Sequence, residues 1–117
     1  MLSNGVPPNI GEIARTLTEA YRLRGNGAPL SPSATPSLAE AVAIIDIYSA
    51  ETTVHATEIV ATERLGLVLT GEAAVVDGQR KTWSAIHVWR FDAGHVSRFE
   101  AYAQTLVVLP PGVVAAD

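Results

Sequence analysis

Between Trp83 and Phe91 apolar and polar positions alternate residue by residue. Trp83, Ala85, His87, Trp89 and Phe91 fall on one side, and Ser84, Ile86, Val88 and Arg90 on the other. That is the period of two that a pleated strand imposes. Asp92-Ala93-Gly94-His95 follows as a turn, with Gly94 free to take positive φ. A second strand over 96–105 returns with Phe99, Ala101 and Ala103 on one face and Arg98, Glu100 and Tyr102 on the other. Both faces of the first arm are largely apolar, whereas a sheet with one solvated face carries polar residues there. One face is therefore expected to line an interior and the other to meet a further surface. His87 is the one ionisable group on the aromatic face.

The strand pattern extends upstream. Residues 52–61 are rich in β-branched side chains. Thr62-Glu63-Arg64 turns, and 65–76 is the next strand, with Gly71 as a bulge or bend. Asp77-Gly78 is a hairpin signal. The four strands form an antiparallel meander.

Before residue 52 the period becomes helical. Asn9 is a capping residue, Glu12 completes a capping box, and Ile10, Ile13, Ala14 and Leu17 make an apolar stripe. Either this helix continues through Ala20, Tyr21 and Arg24, or the chain turns near Thr18 and a short strand forms around Tyr21. Gly25-Asn26-Gly27 stops both versions. After a loop over 25–36, Ser37 caps a second helix, LAEAVAIIDIYS. Its apolar residues cover most of its circumference, which predicts burial on more than one side. Asp46 interrupts that surface, either as a solvated gap or as a carboxylate turned into a pocket. Residues 1–8 are expected to be irregular, and the apolar tail within 106–117 to pack on something.

Composition narrows the possibilities. The 117 residues suit a single domain. The net charge of −4 argues against a nucleic-acid or anionic-membrane partner. With no cysteine, thiol catalysis, disulfides and thiolate metal sites are excluded, and a reducing cytoplasm suits the chain. No apolar run approaches the ~20 residues that span a bilayer, and the N-terminus does not read as a signal peptide. Charged residues are only 17% of the chain, which fits a protein that hides surface in an oligomer.

Helices followed by a curved antiparallel sheet make an α+β pattern. The run IHVWRFDAGHVSRFEAYA resembles the C-terminal hairpin of the nuclear transport factor 2-like superfamily, which includes ketosteroid isomerases, limonene-epoxide-hydrolase-like enzymes and SnoaL-like polyketide cyclases. YRLRGNGAPLS resembles its first strand and the loop after it, and PSLAEAVAIIDIYS is similar to its third helix. The resemblance covers residues 10–105. It implies a cone-shaped domain: a curved antiparallel sheet of about four long strands plus a short one, packed over two helices. It implies that the family's first helix is absent, and it favours a strand at 20–24. It also implies pairing with a second copy through the outer sheet face.

The family's catalytic carboxylates are not matched. Arg24 stands near the place of the isomerase base, His87 at that of the oxyanion-hole Asp, and Gln104 at that of the cyclases' late acidic residue.

These readings nominate His87, Asp46 and Tyr21 as catalytic candidates. Trp83, Ala85, Trp89, Phe99, Ala101 and Arg24 are the candidate ligand contacts. An imidazole on an aromatic face either donates one hydrogen bond to a ligand, acts as acid or base, or is a core histidine bonded to a neighbour. No metal-ligand spacing and no cofactor motif stands out. The expected activity is binding of a small apolar molecule in the cone. The alternatives are an isomerase, cyclase or epoxide hydrolase using His87, and a non-catalytic assembly module whose cone is filled by its own side chains. A homodimer through Ile86 and Val88 is expected, the alternative being a monomer whose apolar tail folds back over the sheet.

Overall fold

A computed structural model of the chain describes residues 8–104. The expected irregular N-terminus before Pro8 and the apolar tail lie outside the described residues. Two helices, α1 (Pro8–Asn26) and α2 (Pro36–Tyr48), precede four strands: β1 (Thr53–Ala61), β2 (Leu65–Val76), β3 (Gln79–Asp92) and β4 (His95–Gln104). The strands form one antiparallel sheet in the order β1-β2-β3-β4. The sheet curves, and both helices pack on its concave side, which makes the fold α+β.

The strand expected at 20–24 does not form, and no short fifth strand exists among the described residues. Ile13, Leu17, Ala20, Tyr21 and Leu23 form one buried stripe of α1. No glycine or proline falls between Glu12 and Arg24, so the i, i+3 and i+4 spacing carries the helix on. Gly27, at φ 64°, ends it, and the Ala28 N–H bonds back to the Leu23 carbonyl at 2.9 Å. The start is also earlier than expected: Pro8 already lies in the helix and Asn9 is not its cap.

The cap of α2 is Thr35 rather than Ser37. Thr35 Oγ1 accepts from the Leu38 N–H, and Pro36, which has no N–H to satisfy, takes the first turn. Ala41, Val42 and Ile45 bury one side of α2 against the core. The expected burial on more than one side fails at Ile47, which is 79% exposed.

Two of the three hairpins, β2–β3 and β3–β4, turn on two residues with positive φ, Asp77-Gly78 and Ala93-Gly94, the arrangement whose twist matches that of paired strands. The bulge expected at Gly71 lies elsewhere. Gly71 stays in register with His55 and Ser84, and the shift falls between Ala56 and Glu58 of β1. Gly71 is small for another reason: a Cβ there would lie 2.6 Å from His55 Cε1, because that ring crosses the strand. A second shift, at Arg90/Phe91, helps bend the β3–β4 pair.

The core joins the α1 stripe and the buried side of α2 to Val68, Trp89 and Phe91 of the sheet. Leu17, Ile45 and Trp89 are almost wholly buried, and burying such side chains contributes roughly 1.5–3 kcal/mol each.

Candidate functional site

Strand periodicity turns Val68, Thr70 and Glu72 of β2 to the concave face, beside Trp83, Ala85, His87, Trp89 and Phe91 of β3 and Phe99, Ala101 and Ala103 of β4. Tyr21 reaches this face from α1 and Tyr48 from the last turn of α2. A continuous hydrogen-bond chain results. Trp89 Nε1–H donates to the Tyr21 hydroxyl at 2.9 Å, and that hydroxyl lies 2.6 Å from His87 Nδ1. His87 Nε2 lies 2.8 Å from Glu72 Oε2. Thr70 Oγ1 donates to the same Glu72 oxygen, while Tyr48 O–H and Trp83 Nε1–H both donate to Oε1, all at 2.8 Å.

Counting donors assigns the protons. Tyr21 has one proton and already accepts from Trp89, so it donates to His87 Nδ1. His87 is then a neutral imidazole whose Nε2–H donates to Glu72, and the carboxylate accepts four hydrogen bonds. His87 is 0% exposed. Burial pushes its pKa below the ordinary 6.5, against the upward pull of the Glu72 carboxylate. Burial raises the hydroxyls of Tyr21 and Tyr48 well above the usual tyrosine range, and Glu72 reinforces both shifts. Neither tyrosine ionises near neutrality, so both remain donors.

Aromatic rings close around the imidazole. Tyr48 stands edge-on to His87 with ring centres 4.7 Å apart, and Phe99 does so at 5.2 Å. Phe99 also packs against Trp89 at 4.5 Å. The deep half of the concave face is thus filled by Tyr21, His87 and Trp89. Toward the Tyr48 end the surface opens. Tyr48, Trp83, Phe99 and Ala101 are half-buried and Ala103 is exposed, whereas Ala85, between Trp83 and His87, is buried.

Two clefts adjoin the network. One, of about 250 Å³, lies mostly on the outer side of the sheet, lined by Thr53, His55, Gly71, Arg80, Thr82 and Ser84, and also takes in Glu72 and Trp83. A larger open groove of about 710 Å³ runs between α1 and β1, and Tyr21 is the one network residue on its wall. The Glu72 side chain is wholly buried, so neither cleft exposes its carboxyl group.

The nominated residues divide into two groups. His87, Tyr21, Trp83, Ala85, Trp89, Phe99 and Ala101 share the concave face. Asp46 and Arg24 do not join the network. Asp46 is exposed, and Arg24 Nη1 donates to its Oδ1 at 2.9 Å while Nη2 donates to the Ala28 carbonyl at 2.7 Å. That pair ties α1, the following loop and α2 together. Glu72, Thr70 and Tyr48 were not nominated. Their signal was thin: Thr70 and Glu72 share one face of a strand whose other face carries Leu65, Leu67 and Leu69. Ordinary amphipathic reading puts the leucines inside. Among the described residues no group of three or more His, Asp or Glu forms a metal site.

The chain is similar to the crystal structure of a nuclear transport factor 2-like protein of unknown function from Burkholderia pseudomallei K96243. The two are 23% identical, the match covers 84% of this chain and 92% of that one, and the TM-score is 0.49. No family model matches the sequence, and no curated protein matches it. Among the described residues no helix is long and apolar enough to cross a membrane.

Proposed function

We propose that the protein is a non-catalytic binder of a small hydrophobic molecule, held on the open half of the concave face against Tyr48, Trp83, Phe99 and Ala101. One observation carries this reading. The polar groups of that face are bonded to one another, with both His87 nitrogens taken, so what they leave to a ligand is aromatic and aliphatic surface. A site of this kind gains affinity from apolar area. Acid–base work by His87 would first require breaking one of its internal hydrogen bonds. The cysteine-free sequence supports a cytoplasmic setting for this binder.

The test uses indane and 1-indanone as probes, read by quenching of tryptophan fluorescence. Both probes are expected to bind the parent, and Ala101→Leu, which fills the floor, is expected to abolish binding while leaving the circular dichroism spectrum unchanged. Absence of binding to the parent, or undiminished binding to the variant, overturns the reading.

The outer sheet face favours a second element of the proposal, a homodimer. Val60, Leu69, Ile86 and Tyr102 are exposed there, and strand register joins them to half-buried Leu67 and Val88 as one apolar patch. A symmetric interface of about 800 Å² per partner would be of standard size, with apolar area contributing roughly 25 cal/mol per Å². Sedimentation at micromolar concentration is expected to show a dimer that Ile86→Glu with Val88→Glu dissociates. A parent that sediments at 12.3 kDa refutes it.

A further inference from the structure

Glu72 has an unusual environment. Its side chain is buried, and four neutral donor groups stand 2.8 Å from its two oxygens, surroundings that suit a carboxylate. Its four hydrogen bonds come from a hydroxyl of Thr70, a phenol of Tyr48, an indole of Trp83 and an imidazole that carries no charge. Among the described residues its one pairing with a basic side chain is with that neutral His87. Arg80 and Lys81, which precede Trp83 on β3, make no hydrogen bond with it. A buried carboxylate is expensive unless a positive charge offsets it.

The half-open surface next to this charge is aromatic. Tyr48 and Trp83 converge on the same Glu72 oxygen, and Phe99 stands 5.7 Å from Tyr48 at 74°. Ring faces attract cations. The carboxylate has no acceptor position left, so a primary ammonium would lose its water hydrogen bonds and recover none. A quaternary ammonium has no N–H to satisfy. It can sit against rings in the field of the carboxylate without forming a hydrogen bond.

We infer that the concave face selects small hydrophobic cations of the quaternary ammonium class, held by Tyr48, Trp83 and Phe99 over the buried Glu72 carboxylate. This rests on the reading of that face as the ligand site and specifies the ligand's charge. Lys81 lies on the same face of β3, one step beyond Trp83, and opposes such a ligand.

The experiment compares phenyltrimethylammonium with tert-butylbenzene, which has the same shape and no charge, by titration calorimetry on the full chain. The cation is expected to bind about ten-fold tighter or more. Trp83→Leu and Phe99→Leu are each expected to reduce that preference, and Lys81→Gln to increase it. Glu72→Gln is expected to abolish it. Should that variant not fold, the Trp83, Phe99 and Lys81 variants carry the test. Equal binding of the two probes, or tighter binding of tert-butylbenzene, overturns the cation inference and leaves the apolar site standing. Binding of neither probe overturns both. Benzylamine is expected to bind more weakly than phenyltrimethylammonium, and the reverse order overturns the argument from the saturated carboxylate.

Discussion

Replacing Tyr21 with Phe removes one oxygen and leaves the ring in place. That oxygen serves two groups at once, accepting from Trp89 Nε1–H at 2.9 Å and donating to His87 Nδ1 across 2.6 Å. Trp89 and His87 are both fully buried. Without the hydroxyl an indole donor and an imidazole acceptor lose their partners in the interior. Each such orphan costs about 1–3 kcal/mol. His87 cannot repair the loss by moving its proton, because a proton on Nδ1 would have no acceptor and Glu72 would lose a donor. The expected loss is about 2–4 kcal/mol, a large part of the roughly 5–15 kcal/mol that holds a domain together.

Tyr48→Phe is the matched control. Its hydroxyl also bonds to Glu72, but the side chain is half-buried and Trp83 still donates to the same oxygen. About 1 kcal/mol or less is expected there. In a domain of this size each kcal/mol moves the midpoint of thermal unfolding by about 4–8 °C. Urea unfolding followed by circular dichroism measures both variants against the parent. If Tyr21→Phe is no more destabilising than Tyr48→Phe, the assignment of Tyr21 as the joint of the buried chain is wrong.

Further expectations concern pH and two glycines. His87 has a folded-state pKa below 6.5, so in the window from 6.5 down to that lowered value the unfolded chain binds a proton that the folded chain refuses. Stability is therefore full above the window and falls as pH drops through it. His87→Gln is expected to lack that part of the slope, and urea midpoints from pH 7 to 5 that run parallel in the two proteins would disprove the assignment. Glu40 and Glu100, whose pKa values hydrogen bonds from His95 and Tyr102 lower, add their own slope only below 4.5. Gly66→Ala places a methyl group against Leu17 Cδ1 in the packed core and is expected to destabilise by about 1–3 kcal/mol. Gly71→Ala meets the ring of exposed His55, which can swing aside, so a smaller loss is expected. Thermal melts that reverse this order would contradict the packing described for β2.

Local rules were enough for much of the architecture. Two turn dipeptides with a glycine in second place set both long hairpins, because positive φ at two successive positions is tolerated there and matches strand twist. Alternation from Trp83 to Phe91 placed His87 among aromatic neighbours on one face, because side chains in a strand must point to opposite sides in turn. The bounds of β2 were legible from the turn signals on either side of it.

Other features were decided only when the elements met. The helical stripe ending in Tyr21 was open to a strand reading until packing on the sheet buried Ile13, Leu17, Ala20 and Tyr21 together. Helix formation depends on such tertiary burial more than on propensity. The choice of inward face on β2 ran against its own composition. Thr70 and Glu72 point inward, while Leu67 and Leu69 face out. Hydrophobic pattern assigns faces by assuming that the inside is the apolar side. Here the outer face is itself apolar, so the pattern along β2 alone could not choose. What decided it was pairing with β3: Val68 lies opposite His87, Thr70 opposite Ala85 and Glu72 opposite Trp83, so these turn inward with the aromatic face, and Glu72 there meets four donors from α2, β2 and two positions of β3. No window of sequence contains that information, because donors 2, 11, 15 and 24 residues away become neighbours only once the chain has folded.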